Sequence, residues 1–118
     1  MLAEWLITEY EQNGHLAAEG EVYLPVSAIH EFVKDCGDLN IAIIGLDYVL
    51  KQDEDFYIRL NSLDCSEILA SFTDWNSLVE YCNHIVLSNI EGEQTSENME
   101  YFIPIMIEEF NWRISHLL

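Results

Sequence analysis

Ile41-Ala42-Ile43-Ile44-Gly45-Leu46-Asp47-Tyr48-Val49-Leu50 is the stretch on which the fold turns. It is rich in β-branched and aromatic residues, which fit a pleated, packed surface, and it reads as a strand. Gly45 marks a bulge or a close backbone approach within it. Gln52-Asp53-Glu54-Asp55 is polar and suits a turn. Phe56-Tyr57-Ile58-Arg59-Leu60 is the returning strand, with Phe56, Ile58 and Leu60 on one face and Tyr57 and Arg59 on the other. The pair predicts an antiparallel hairpin.

Helical periodicity appears on both sides of the hairpin. Upstream, Leu2, Trp5, Leu6 and Tyr10 predict a helix over residues 2–12, stopped at Asn13-Gly14. Residues 15–20 read as a loop. Val22-Tyr23-Leu24 is extended, because Pro25 disfavours helix in the residue before it. Ser27 is a candidate N-cap for a helix carrying Ile29, Phe32, Val33 and Cys36 on one side, with Gly37 as its terminator. Downstream, residues 67–72 fit a third strand or a helical turn. Thr73 is a candidate N-cap for a helix with an apolar stripe of Trp75, Leu78, Val79, Cys82, Ile85 and Val86, and Asp74 in its first turn favours the helix dipole. Residues 91–100 read as a solvated loop. Over residues 101–118 the preferred reading is a helix with Pro104 in its first turn. A strand over residues 101–107 is the alternative. The sum is a single α+β domain over residues 1–118, a small antiparallel sheet built on a central hairpin and packed with about four helices.

The composition is that of a folded chain, half hydrophobic and 12% aromatic over 118 residues. Its charge is the outlier. Twenty-two acidic residues face four cations, Lys34, Lys51, Arg59 and Arg113, for a net charge of −18. Charge on this scale opposes compaction, exceeds what solubility asks and repels nucleic acid and anionic membranes, while it speeds encounter with a positive partner. Cys36, Cys65 and Cys82 are an odd number without close pairing, which fits a reducing compartment. The first residues lack the basic and apolar regions of a secretion signal. The longest clean apolar run, about residues 41–44, is far below the ~18 residues of a membrane span. A cytoplasmic protein is expected.

Motifs of catalysis are missing from the sequence. It has no glycine-rich phosphate loop, no Gly-x-Ser-x-Gly elbow and no His-Glu-x-x-His pair, and no motif implies a cofactor. Cys82 and His84 suggest zinc, but no Cys-x-x-Cys pair supports it, and Cys82 and Cys36 both fall on apolar stripes. Asp53-Glu54-Asp55 opens like a calcium loop, yet Ile58 and Asp64 stand where that loop needs glycine and glutamate. Asp64 beside Cys65 disfavours the thiolate. His15, His30, His84 and His116 have no identified nucleophile beside them.

The acidic clusters are left as the carriers of function. Asp47 lies on the first hairpin strand, Asp53, Glu54 and Asp55 form the tip, and Asp64 and Glu67 follow it. Glu91, Glu93, Glu97 and Glu100 fill the late loop, and Glu108 and Glu109 ride the last segment. Such density can mimic phosphates or occupy a basic cleft. Tyr48, Tyr57 and Trp112 are the candidate aromatic anchors.

Two stretches resemble the SUKH superfamily of bacterial toxin-immunity proteins. Leu24-Pro25-Val26-Ser27-Ala28-Ile29-His30-Glu31-Phe32, followed by Gly37, resembles its Leu-Pro, helix-with-Phe, then Gly pattern. Ser71-Phe72-Thr73-Asp74-Trp75-Asn76-Ser77-Leu78 resembles the segment where a Ser-Phe pair leads into a late helix. Asp38-Leu39-Asn40 stands in place of the family's glycine-rich stretch. The resemblance implies a contact-dependent-inhibition or polymorphic-toxin immunity protein with no enzymatic activity. Its partner would be a basic protein, a cognate nuclease toxin, bound through the acidic residues above, with no direct contact to nucleic acid or membrane. The alternatives are a nucleic-acid mimic that inhibits a DNA-handling protein, of anti-restriction or anti-CRISPR type, and an uncharacterised enzyme.

Overall fold

A computed structural model describes residues 2–92 and 100–117. Among them, four α-helices surround a five-stranded antiparallel sheet of order β1-β2-β5-β3-β4. The elements are α1 (Leu2–Glu9), β1 (His15–Leu16), β2 (Val22–Pro25), α2 (Val26–Asp38), β3 (Ala42–Gln52), β4 (Asp55–Asp64), α3 (Trp75–Gly92), β5 (Glu100–Ile107) and α4 (Glu109–Leu117). Single 3-10 turns at Glu11–Asn13 and Ser66–Ser71 complete the path.

The hairpin forms as its sequence predicts. Gln52 pairs with Asp55 across a two-residue turn, with Asp53 in the left-handed region at φ 57°. The β3–β4 register shifts between Asp47 and Val49, whose partners are Ser62 and Ile58. Arg59, Leu60 and Asn61 therefore stand opposite Tyr48 alone. This bulge lets Arg59 turn in over the Tyr48 ring, 5.6 Å from its centroid.

Several ends differ from expectation. Residues 15–20 contain the short strand β1, paired to β2 through His15↔Tyr23 and Leu16↔Val22. Gly14 precedes it because a Cβ there would collide with the Tyr23 carbonyl oxygen. Ser27 is not the cap of α2: the helix starts at Val26, behind the extended Pro25, with no side-chain cap bond. Nor does Gly37 end it. Asn40 takes the left-handed residue at φ 57°, the Ile41 N–H reaches the Cys36 carbonyl at 2.8 Å, and the Asn40 N–H reaches Gly37 at 3.2 Å. That is the Schellman pattern, with asparagine in the place usually held by glycine. Asp74, not Thr73, caps α3, accepting from the Ser77 N–H at 2.9 Å and the Ser77 hydroxyl at 2.8 Å. Residues 67–72 take the helical-turn option.

The largest correction is at the C-terminal segment. Residues 101–107 are strand, not helix, and helix begins only at Glu109. β5 pairs with β3 along its whole length, from Leu50↔Glu100 to Ala42↔Ile107. On its other side β2 pairs only at Leu24↔Phe102 and Pro25↔Tyr101 before turning into α2. Pro104 lies beyond these two pairs, on the side of the start of β2, where β3 is its paired neighbour among the described residues, and a missing N–H is tolerated there.

Alternation gives the sheet two unlike faces. The helical face carries Leu24, Ile43, Leu46, Tyr48 and Phe102, which pack with Ile29, Phe32 and Val33 of α2, Leu6 of α1 and Val86 and Ile90 of α3 in the main core. The other face is covered only at its ends. At one end Trp112 of α4 meets Ala42, Cys65 and Trp75. At the other, Ala17 and Tyr23 cover Val49 and Ile103. The sheet curls around this second face, so that His15, on one edge, stacks on Phe56 of β4, on the opposite edge, at 4.3 Å.

Candidate functional site

Each positive charge has a partner on its own chain, with Lys34 and Arg113 exposed and Lys51 and Arg59 half-buried. Arg59 donates to Glu100 at 3.0 Å, and Lys34 pairs with Asp38 at 3.4 Å one helical turn away. Arg113 pairs with Glu109 and lies over the Trp112 ring. Lys51 sits over Phe56, 5.8 Å from its centroid. Each cation thus lies against a carboxylate or an aromatic ring of its own chain, and the exposed surface is left acidic.

The predicted site residues divide sharply. Asp53, Glu54 and Asp55 are exposed together at the hairpin tip, and Tyr57, 52% exposed, lies beside them on β4. Glu67 and Glu91 are exposed but sit elsewhere, on the 3-10 turn after β4 and near the end of α3. Glu93 and Glu97 lie outside the described residues. Three candidates are corrected to the interior: Tyr48 is 3% exposed, Glu100 4% and Trp112 3%. Tyr48 and Glu100 are on the helical face with Arg59, and the Trp112 indole donates to the Leu69 carbonyl at 3.0 Å. Glu108 is half-buried, and its carboxylate accepts from the Leu2 and Ala3 N–H groups at 3.2 and 3.4 Å, capping α1.

Asp47 and Asp64 share a setting that sequence alone does not reveal. Both lie on the less covered face, Asp47 opposite Ser62 and Ile103, Asp64 opposite Gly45. Ile58 and Ile105, not singled out from the sequence, lie on the same face and are 56% and 45% exposed. A Cβ on Gly45 would meet the Ile105 Cδ1 at 3.2 Å, so the glycine keeps the floor low beside that side chain. The Ser66 hydroxyl and the Ser66 N–H, the latter at 2.9 Å, both donate to Asp64, which holds its carboxyl below the usual range. The usable signal was parity: with a two-residue turn, Ile58 falls opposite Val49 and on the Asp47 side.

Catalytic geometry is weak by comparison. A groove of about 510 Å³ lies between α2 and α3, with Val33, Val79 and Leu87 as apolar lining and Lys34, Asn83 and His84 as polar groups. The Asn83 amide is already engaged, donating to the Ile41 carbonyl at 3.1 Å and accepting from the Ile43 N–H at 2.9 Å. Cys82 and His84 diverge, the first into the core and the second to the surface. Burial pushes the Cys82 thiol up to about 11 and raises Cys36 and Cys65 as well, so all three stay protonated and unreactive at neutral pH. Among the described residues no group of three His, Cys, Asp or Glu is placed to hold a metal ion, and no helix is long and apolar enough to cross a membrane.

No family model matches the chain, and neither a curated protein nor a solved structure does.

Proposed function

We propose that this protein is an immunity protein that binds and neutralises a cognate bacterial toxin, a nuclease with a basic cleft, in the cytoplasm of the cell it protects. The observation that carries the reading is the charge arrangement: −18 overall, with the four cations lying against their own chain's carboxylates and rings. A nuclease cleft is positive because it holds phosphates, and a dense carboxylate surface competes for the same groups. The negative field also steers association, at rates that fall as salt rises. The two stretches resembling SUKH immunity proteins point the same way.

Affinity purification from the source cell tests this. A basic protein should elute as salt is raised and should cleave nucleic acid when freed of its inhibitor. Its association rate with the purified chain should fall from low to high salt. A partner whose association rate ignores salt, or recovery of no stable partner, would sink the reading.

A further inference from the structure

On the less covered sheet face, exposed apolar side chains and an acid without a local cation occur together. Asp47 projects from β3, a strand flanked on both sides by hydrogen-bonded neighbours. Diagonal neighbours on an antiparallel pair are about 7–8 Å apart, and Ile105 on β5 is diagonal to Asp47. Ile58 and Ser62 border it on β4. Among the described residues no cation lies within ion-pair reach of Asp47. Between the two end clusters, around Trp112 and around Tyr23, Asp47 is half-buried beside the covered Val49 and Ile103, while Ile58, Ile105 and Ser62 stay exposed.

We propose that this middle strip is the seat of a basic segment of a partner protein, with a Lys or Arg head group at Asp47 and the segment's apolar atoms over Ile105 on one side of it and Ile58 on the other. Lysine and arginine pair an apolar stem with a charged head, which matches an isoleucine beside a carboxylate. Charge selects the occupant. A second copy of a chain carrying −18 is repelled, and so is an anionic membrane or a nucleic acid. The proposal rests on the reading that the partner is basic, and it moves the contact centre from the hairpin tip to the sheet face. The tip carboxylates then steer the approach, and Asp47 with the two isoleucines holds the bound state.

The test uses the full chain with isoleucine-methyl and amide labels and two synthetic hexapeptides, one alternating arginine and leucine, the other all lysine. The Arg-Leu peptide should move the Ile58 and Ile105 methyl signals and the Asp47 amide. Ile105→Ser should weaken it by about tenfold, the effect of uncovering one buried apolar side chain. Asp47→Asn, which keeps the shape, should weaken it too. Neutralising the exposed tip with Asp53→Asn, Glu54→Gln and Asp55→Asn should cost less than about threefold. Binding that leaves both methyl signals in place, or an unchanged Kd for Ile105→Ser, overturns the proposal. So does a dimer in sedimentation that dissociates on Ile105→Ser, because the occupant would then be a second copy. The lysine peptide separates the two levels of reading. If it binds at low salt and the Arg-Leu peptide binds no better, only the sheet-face seat fails. If neither binds at low salt, the basic-partner reading fails with it.

Discussion

The two faces of the sheet are made from alternate residues of the same strands, yet they end in different environments. On the helical face Leu24, Ile43, Leu46 and Phe102 are fully buried beneath α1, α2 and α3. One residue along in parity, Ile105 and Ile58 remain about half exposed. Strand chemistry does not separate them, since isoleucine serves on both. What differs is the layer above. The thirteen residues of α2 and the second half of α3 lie over one face, while the first half of α3, α4 and short elements cover only the ends of the other. Burial is thus concentrated on the first face, and the middle of the second contributes little to it.

The sharpest way to break this division is to truncate one side chain on each face. Phe102→Ala should cost about 3–5 kcal/mol in urea unfolding, as a large aromatic leaves a cavity in a packed core. Next comes Asn83→Ala, which strips the Ile41 carbonyl and Ile43 N–H of their side-chain partner and should cost about 1–3 kcal/mol by the same measurement. Ile105→Ala, on the exposed face, should change stability by no more than about 0.5 kcal/mol. Costs for Ile105 and Phe102 that came out equal would mean that the second face is also a core. The smallest effect sits at a helix cap. The hydrogen bonds from Ser77 hold Asp74 below the usual carboxylate range. A depressed folded pKa stabilises above the unfolded value of about 3.9 and loses that contribution as pH falls through the folded one. The stability gap between the native chain and Asp74→Ala should therefore be full at neutral pH and close below about pH 4. A gap that stayed constant through acid would show that the cap does not depend on charge.

Much of the fold was legible because its signals are local. The hairpin follows from β-branched runs around a polar turn, and α2 and α3 from apolar stripes at helical spacing. β5 was hidden because Pro104 opposes an interior strand, and the feature that excuses it, a β2–β5 pairing limited to Leu24 and Pro25, is a fact of tertiary structure. The candidate site divided in the same way. Asp53, Glu54 and Asp55 are exposed because a tight turn has no inside. Tyr48 and Glu100 were read as accessible, but the register at the Arg59 bulge and the pairing of Glu100 with Leu50 turn both toward the helices. The exposure of Ile58 and Ile105 has no signal in the sequence, since exposure of an isoleucine depends on which layer is missing.

The strand order β1-β2-β5-β3-β4 sets a schedule as well as a shape. β5 leaves the ribosome after the other four strands of its sheet, and it belongs between two that were made long before it. Until residues 100–107 emerge, β2 and β3 each present an unpaired inner edge, and Leu24, Ile43 and Leu46 have no Phe102 beside them. Open edges of this kind are templates for the wrong neighbour. A ribosome stalled before residue 100 would carry a hairpin and three helices' worth of sequence that cannot close. Chaperone dependence should therefore fall abruptly as the exit tunnel releases β5.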